Sequence, residues 1–74
     1  MKNNALTPRE LEVMNLIMQG YHNLKISEIL CISEHTVKAY LESIYEKLNV
    51  SNRVQAIIRY LKDYANARLF DTKK

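Results

Sequence analysis

The chain has 74 residues, a mass of 8.7 kDa and a formal net charge of +3, and 47% of its residues are apolar. It is long enough for one small domain, and its single glycine and proline exclude a collagen-like or disordered chain and disfavour a turn-rich β-sandwich. The single cysteine excludes a disulfide framework and a zinc site of paired cysteines. With no apolar run of ~18 residues and no signal-peptide core, we predict a cytoplasmic protein that contacts no membrane.

The first predicted helix has a well-marked start and end. Thr7 is a suitable N-cap, Pro8 stands at the first helical position, and Glu10 completes a capping box three residues after the cap. Apolar residues then recur at helical spacing, at Val13, Leu16 and Ile17. Gly20 suits the left-handed conformation that ends a helix. Residues 1–5 are predicted to be a flexible N-terminus.

Two further helices are predicted with only three residues between them. The apolar pattern indicates a short helix over residues 23–30, whose start is poorly capped, and a longer one over 34–48 with Ser33 as its N-cap. We expect Ile26 and Ile29 of the shorter helix to pack on Val37 and Leu41 of the longer one.

A fourth helix is predicted from residue 51 or 52 to about 66, with Ser51 as its cap. Its apolar positions are Val54, Ile57, Ile58 and Leu61. We expect residues 67–74 to form a C-terminal tail, so that the folded domain spans 6–66.

A short helix, a three-residue break and a longer helix suggest a helix-turn-helix, here over about 22–41. In that motif the first helix crosses the DNA backbone, and the outer face of the second enters the major groove, where each base pair has a distinct pattern of donors and acceptors. The positive net charge is compatible with such a partner. Consecutive amphipathic helices also describe many small helical interaction modules, so spacing alone leaves both interpretations open.

The sequence as a whole resembles the LuxR-type (GerE-type) helix-turn-helix DNA-binding domain. The resemblance covers roughly residues 6–61 without a gap. It is carried by Leu6-Thr7-Pro8-Arg9-Glu10, Glu12-Val13, Gly20, Asn23, Ile26, Ile32-Ser33-Glu34, Thr36-Val37-Lys38, Lys47-Leu48, Val50, Arg53 and Gln55-Ala56. Family members usually carry a receiver or ligand-binding domain as well, so we expect a stand-alone GerE-like regulator or the C-terminal domain of a response regulator.

The resemblance implies an all-α fold with a tri-helical core and a C-terminal dimerisation helix. It implies a regulator of transcription that binds double-stranded DNA, with helix 34–48 as the recognition helix. The residues expected to contact base edges are Lys38, Ala39 and Glu42. Those expected to contact the DNA backbone are Asn23, Lys25, His35, Thr36, Tyr40, Lys47 and Arg53. A homodimer is expected through Val54, Ile58, Leu61 and Tyr64, and RNA polymerase is a further candidate partner.

The sequence departs from the family pattern in several ways, of which the charge of the predicted recognition helix is the most serious. Asn49 replaces the usual glycine between the third and fourth helices, and asparagine tolerates the left-handed conformation. Between residues 34 and 48, Lys38 and Lys47 stand against three glutamates, which gives this segment a net charge of −1. Glu42 therefore has two interpretations: it accepts a hydrogen bond from a cytosine amino group, or it repels phosphates.

The net-negative segment also favours an alternative function. In that alternative the chain is a helical protein-interaction module that has lost DNA readout and acts on a related regulator. We predict no enzymatic activity, because we identify no nucleophile or pocket, and we interpret Glu10 and Glu12 as a cap and a surface charge. No cofactor and no metal site are predicted.

Overall fold

The computed structural model describes the backbone of residues 5–72 and the side chains of residues 5–63. Within that part of the chain, four helices and no strand are present, which confirms the all-α prediction. The helices are α1 (Pro8–Met18), α2 (Asn23–Leu30), α3 (Glu34–Leu48) and α4 (Arg53–Thr72). None of the described helices has the length and apolarity needed to cross a membrane. The predicted flexible N-terminus falls outside the described residues except for Ala5.

The start and end of α1 are those predicted. The Thr7 hydroxyl accepts a hydrogen bond from the Glu10 backbone at 3.2 Å, and the Glu10 carboxylate accepts one from the Thr7 backbone at 2.8 Å. This reciprocal pair satisfies two of the amides that a helix start leaves without partners. Gly20 follows the helix with a φ of 94°, in the left-handed region that glycine adopts without strain.

The turn between α2 and α3 has a compact hydrogen-bonded geometry. Cys31 ends α2 in the left-handed conformation, with a φ of 58°, and Ile32 donates its backbone N–H to Ser27 at 3.0 Å. Ser33 then caps α3 by accepting from the Thr36 backbone at 3.0 Å, as predicted. At the far end of α3, Asn49 is also left-handed, with a φ of 59°. Both ends of α3 are therefore fixed by local backbone chemistry.

The core is formed by one face of each helix. Its buried apolar members are Val13, Met14, Ile17, Ile26, Val37, Leu41, Ile44 and Ala56. The predicted packing of Ile26 is confirmed, but that of Ile29 is wrong, because its side chain is 43% exposed. The inner face of α2 is set by Ile26, Ser27 and Leu30, and with 3.6 residues per turn this places Ile29 on the flank.

The fourth helix begins and ends differently from the prediction. The cap is Asn52 rather than Ser51: Asn52 Oδ1 accepts from the Gln55 backbone at 2.9 Å, and Gln55 Oε1 accepts from the Ser51 backbone at 2.8 Å. The helix continues to Thr72, so residues 67–72 are helical rather than a tail. No glycine or proline follows residue 20, so nothing in the sequence stops this helix near residue 66.

Candidate nucleic-acid interface

The outer face of α3 is presented to solvent because its other face is anchored in the core. Val37, Leu41 and Ile44 are buried at helical spacing. The side chains on the opposite side are therefore exposed, and they are His35, Lys38, Ala39, Glu42 and Glu46. All three predicted base-contacting residues lie on this face.

A shallow groove runs along one edge of that face and brings predicted site residues from three helices together. It is lined by Asn23, Lys38, Leu41, Glu42, Tyr45 and Arg53. Lys38 offers only hydrogen-bond donors and an ionised Glu42 only acceptors, one helical turn apart. The groove therefore combines both kinds of hydrogen-bonding group that reading a base edge requires.

Lys47 lies on a different side of α3, where it contacts α1. Its ammonium lies 2.8 Å from Glu10 Oε1, and the Ser43 hydroxyl donates to Glu10 Oε2 at 2.6 Å. Glu10 is only 4% exposed, so the carboxylate that caps α1 is also buried at the contact with α3. Lys47 thus forms an ion pair within the protein, and its contact with the DNA backbone stays a prediction.

The charge of Glu10 is held by its hydrogen bonds. Burial by itself would raise the pKa of this carboxyl, but the hydrogen bonds from Lys47, Ser43 and the Thr7 backbone outweigh it and lower the pKa from 4.5 to about 2. Glu10 therefore stays ionised at neutral pH, and this ion pair joins the first turn of α1 to the last turn of α3.

Tyr40 lies on the same side of α3 as Ser43 and Lys47. It is half-buried, packs against the core, and its phenol lies beside the Arg9 guanidinium. The pKa of Arg9 is raised, chiefly by its hydrogen bond to Glu12 and further by Tyr40. Arg9 also donates to the Leu30 carbonyl at 3.5 Å, at the end of α2. The contacts of Tyr40 thus lie where α1, α2 and α3 meet.

Arg53 and Asn23 form a second connection between distant parts of the chain. Arg53 donates through Nη2 to Asn23 Oδ1 and through Nη1 to the Tyr21 carbonyl at 3.3 Å. Both Arg53 and Asn23 are half-buried. The start of α4 is therefore attached to the start of α2 at the edge of the groove.

The remaining predicted backbone contacts lie around the starts of α2 and α3. Lys25 is exposed, with its ammonium 4.0 Å from Glu28. His35 is exposed in the first turn of α3, and the Thr36 hydroxyl lies 2.9 Å from that of Ser33 within the cap. Lys25 and His35 are thus accessible to a ligand, while Thr36 is engaged in the cap.

The apolar residues of α4 separate into two stripes. Ala56 is buried and Ile57 and Tyr60 are half-buried against the core. Val54, Ile58 and Leu61 are 64%, 60% and 47% exposed and lie at the spacing of one helical face. Three of the four predicted dimer-interface residues are therefore exposed in the single chain. Tyr64 lies outside the described side chains.

Sequence reasoning missed the supporting roles of Glu10 and Ser43 and the link between Arg53 and Asn23. A signal for Glu10 was available, because Glu10, Val13, Met14 and Ile17 follow the i, i+3, i+4, i+7 pattern of one helical face. That pattern places the carboxylate at a core position, where it needs a partner. No comparable local signal exists for Arg53 and Asn23, which are 30 residues apart.

The fold and the exposed face of α3 define a helix-turn-helix domain of the kind that inserts a recognition helix into DNA. The luxR family model of bacterial regulatory proteins (GerE) matches residues 4–60, and the chain belongs to this family. The family is one of DNA-binding regulators of transcription rather than a class of enzymes.

Individual relatives agree with the family assignment. The transcriptional regulatory protein DegU of Brevibacillus brevis is 47% identical over 60 residues, which cover 81% of this chain and 25% of DegU. The structure of the transcription factor GerE matches with a TM-score of 0.72 and 38% identity, over 82% of this chain and 90% of GerE. The DNA-binding domain of the response regulator ComA, complexed with the anti-activator RapF, matches with a TM-score of 0.72 and 34% identity, over 74% and 95% of the two chains. The chain thus spans about a quarter of the length of DegU.

Replacing Glu10 with Gln is expected to lower the free energy of unfolding at pH 7 by about 2–3 kcal/mol, because the amide carries no charge for Lys47. The pKa of Glu10 is lower in the folded than in the unfolded chain, so its stabilisation is present above about pH 4.5 and is lost as the pH falls towards 2. In urea unfolding, the gap between wild type and Glu10→Gln should therefore narrow between pH 7 and about pH 3.

The control for this experiment is Glu12→Gln, which neutralises an exposed carboxylate in the same helix. This variant should retain the wild-type dependence of stability on pH, because exposed ion pairs contribute little. A Glu10→Gln gap of the same size at both pH values would contradict the proposed role of the charge.

Proposed function

We propose that the chain binds double-stranded DNA in a sequence-specific manner as a homodimer, with α3 in the major groove, and thereby controls transcription. The observation that carries this proposal is the position of Lys38, Ala39 and Glu42. All three are exposed together on the one face of α3 that the core leaves free. A cytoplasmic location, where a bacterial regulator meets its promoter, is part of the proposal, and RNA polymerase is a candidate partner on the DNA.

The proposed readout divides the three side chains by their chemistry. The Lys38 ammonium is suited to guanine O6 and N7, and the Glu42 carboxylate to a cytosine amino group. The exposed methyl of Ala39 is suited to the methyl group of thymine. Because Lys38 and Glu42 line the same groove one turn apart, they are placed to contact neighbouring base pairs.

The distribution of charge requires the phosphate contacts to come from outside the middle of α3. Lys47 is paired with Glu10, so Lys38 is the exposed cation of α3 and stands against Glu34, Glu42 and Glu46. We therefore assign backbone contacts to Lys25 and His35, which are exposed near the starts of α2 and α3, and to Asn23. The other predicted residues make contacts within the protein. Thr36 lies in the cap of α3, Tyr40 lies beside Arg9, and Arg53 donates to Asn23.

The homodimer is proposed through the exposed stripe of α4. In the dimer, the exposed apolar surface of Val54, Ile58 and Leu61 would be buried against the same stripe of a second chain. Removal of this surface from water stabilises association. A two-fold dimer presents two copies of α3 and reads two half-sites about 34 Å apart, one turn of DNA.

A second candidate function is binding of a protein instead of DNA. Two observations favour it: the exposed acidic residues of α3, and the similarity to the ComA DNA-binding domain, which has been crystallised with an anti-activator. In this alternative the chain acts on a related regulator and reads no sequence. Strong DNA binding whose affinity falls steeply with salt concentration would exclude it.

The proposal as a whole is tested by selecting binding sites from a pool of random duplex DNA at physiological salt. We expect enrichment of one motif with two-fold symmetry, because a dimer presents two identical reading helices. Sequencing of the retained fraction after successive rounds is the measurement. Weak retention with no enriched motif would contradict sequence-specific binding and would favour the protein-binding alternative.

The role of Glu42 is tested by Glu42→Gln, with Glu46→Gln as a control that removes the same charge one turn further along α3. If Glu42 contacts a base, the first variant should change the preference at one base pair by about 1–3 kcal/mol. The second should strengthen binding to all sequences by a similar factor, because it only reduces repulsion of phosphates. Affinities for a panel of single-base variants of the selected site measure both. A uniform gain for Glu42→Gln would contradict the readout.

The proposed dimer is tested by Ile58→Glu, with Ile29→Glu as a matched control on an exposed apolar residue of α2. A carboxylate at residue 58 should keep the chain monomeric, because dimerisation would bury two unpaired charges. Residue 29 lies outside the stripe, so its variant should associate like the wild type. Sedimentation equilibrium over a concentration series measures the effect, and a wild-type chain that stays monomeric at high micromolar concentration would contradict the interface.

A further inference from the structure

Arg53 makes two hydrogen bonds inside the protein, and both are to the segment that leads into α2. Its Nη1 donates to the Tyr21 carbonyl and its Nη2 to Asn23 Oδ1. One N–H of each terminal nitrogen of the guanidinium thus donates within the chain, and the side chain is half-buried. This geometry is that of a residue that holds another side chain in place.

The bond to Arg53 determines which way the Asn23 amide faces. A guanidinium has donors and no acceptor, so only the amide oxygen of Asn23 can face it. The amino group, with two N–H donors, is then directed away from Arg53. Among the described residues, no group accepts a hydrogen bond from this amino group, and Asn23 lines the groove beside Lys38 and Glu42.

We propose that Arg53 is a positioning residue for DNA binding, which fixes the Asn23 amide so that its amino group donates to a phosphate oxygen of the DNA backbone. This inference rests on the proposed DNA binding. A phosphate oxygen only accepts hydrogen bonds, so the amide is useful to it in one of its two orientations, and Arg53 selects that orientation. The contribution of Arg53 to affinity therefore passes through Asn23.

The first test is Asn23→Asp. A carboxylate keeps an acceptor for Arg53 and replaces the hydrogen bond by an ion pair, so the variant should unfold at the same or a higher urea concentration than the wild type. It offers an acceptor where the phosphate needs a donor, so its affinity for duplex DNA should fall by about tenfold or more. Unchanged affinity for DNA in a variant of wild-type stability would overturn the proposal.

The second test is a double-mutant cycle with Arg53→Ala and Asn23→Ala. In the wild-type background, Arg53→Ala should weaken binding to duplex DNA about tenfold, whereas in the Asn23→Ala background it should weaken binding less than about twofold. Arg59→Ala, which removes the same charge from an exposed position of α4, is the control and should act by the same factor in both backgrounds. Equal losses from Arg53→Ala in the two backgrounds would show that the contribution of Arg53 does not pass through Asn23 and would overturn the proposal.

The orientation of the amide is tested without DNA. In nuclear magnetic resonance spectra, the side-chain amide signals of Asn23 should move towards those of a solvent-exposed amide in Arg53→Ala and stay in place in Arg59→Ala. Asn23 signals that do not respond to Arg53→Ala would overturn the positioning role.

Failure of the proposed function and failure of this inference give different results. A wild-type domain that binds no duplex DNA would reject the proposed function and the phosphate contact together, whereas additive losses in the cycle would reject the positioning role alone.

Discussion

The buried carboxylate of Glu10 is the interaction on which the orientation of α3 depends. It caps α1 by accepting from the Thr7 backbone, and it also accepts hydrogen bonds from Ser43 and Lys47 of α3. A buried charge without partners is unfavourable, so the packing that satisfies Glu10 is strongly preferred over packing that leaves it unpaired. The angle between α1 and α3 is thereby fixed by hydrogen-bond geometry as well as by the shape of the apolar core.

Much of the fold could be predicted because it is encoded by local chemistry. The Thr7 capping box, the Ser33 cap and the left-handed Gly20 and Asn49 each depend on residues close in sequence. The bounds of α2 and α3 followed from these signals and from apolar spacing. The predicted end of α4 was wrong, because neither glycine nor proline stands there and a polar C-terminal segment alone does not end a helix.

The candidate site was harder to predict because its geometry depends on which side chains meet across helices. Lys47 and Lys38 have the same chemistry and lie on the same helix, yet Lys47 faces Glu10 and Lys38 faces solvent. Similarly, the residue types of α4 do not indicate which of its two apolar stripes packs against the core. Ala56 is buried and Ile58 is exposed, which is the reverse of their order of hydrophobicity.

In the proposed dimer, the same first turn of α4 carries two functions on different sides. Arg53 is attached to the start of α2, and Val54, the next residue, opens the exposed stripe. The helix that carries the stripe is also held to the core through Ala56, Ile57 and Tyr60. A contact between two copies of α4 is therefore transmitted to the two copies of α2 and α3 by packed and hydrogen-bonded elements rather than by a flexible linker. The separation of the two recognition helices, and with it the spacing of the half-sites, then follows from the fold of one chain and the symmetry of the dimer.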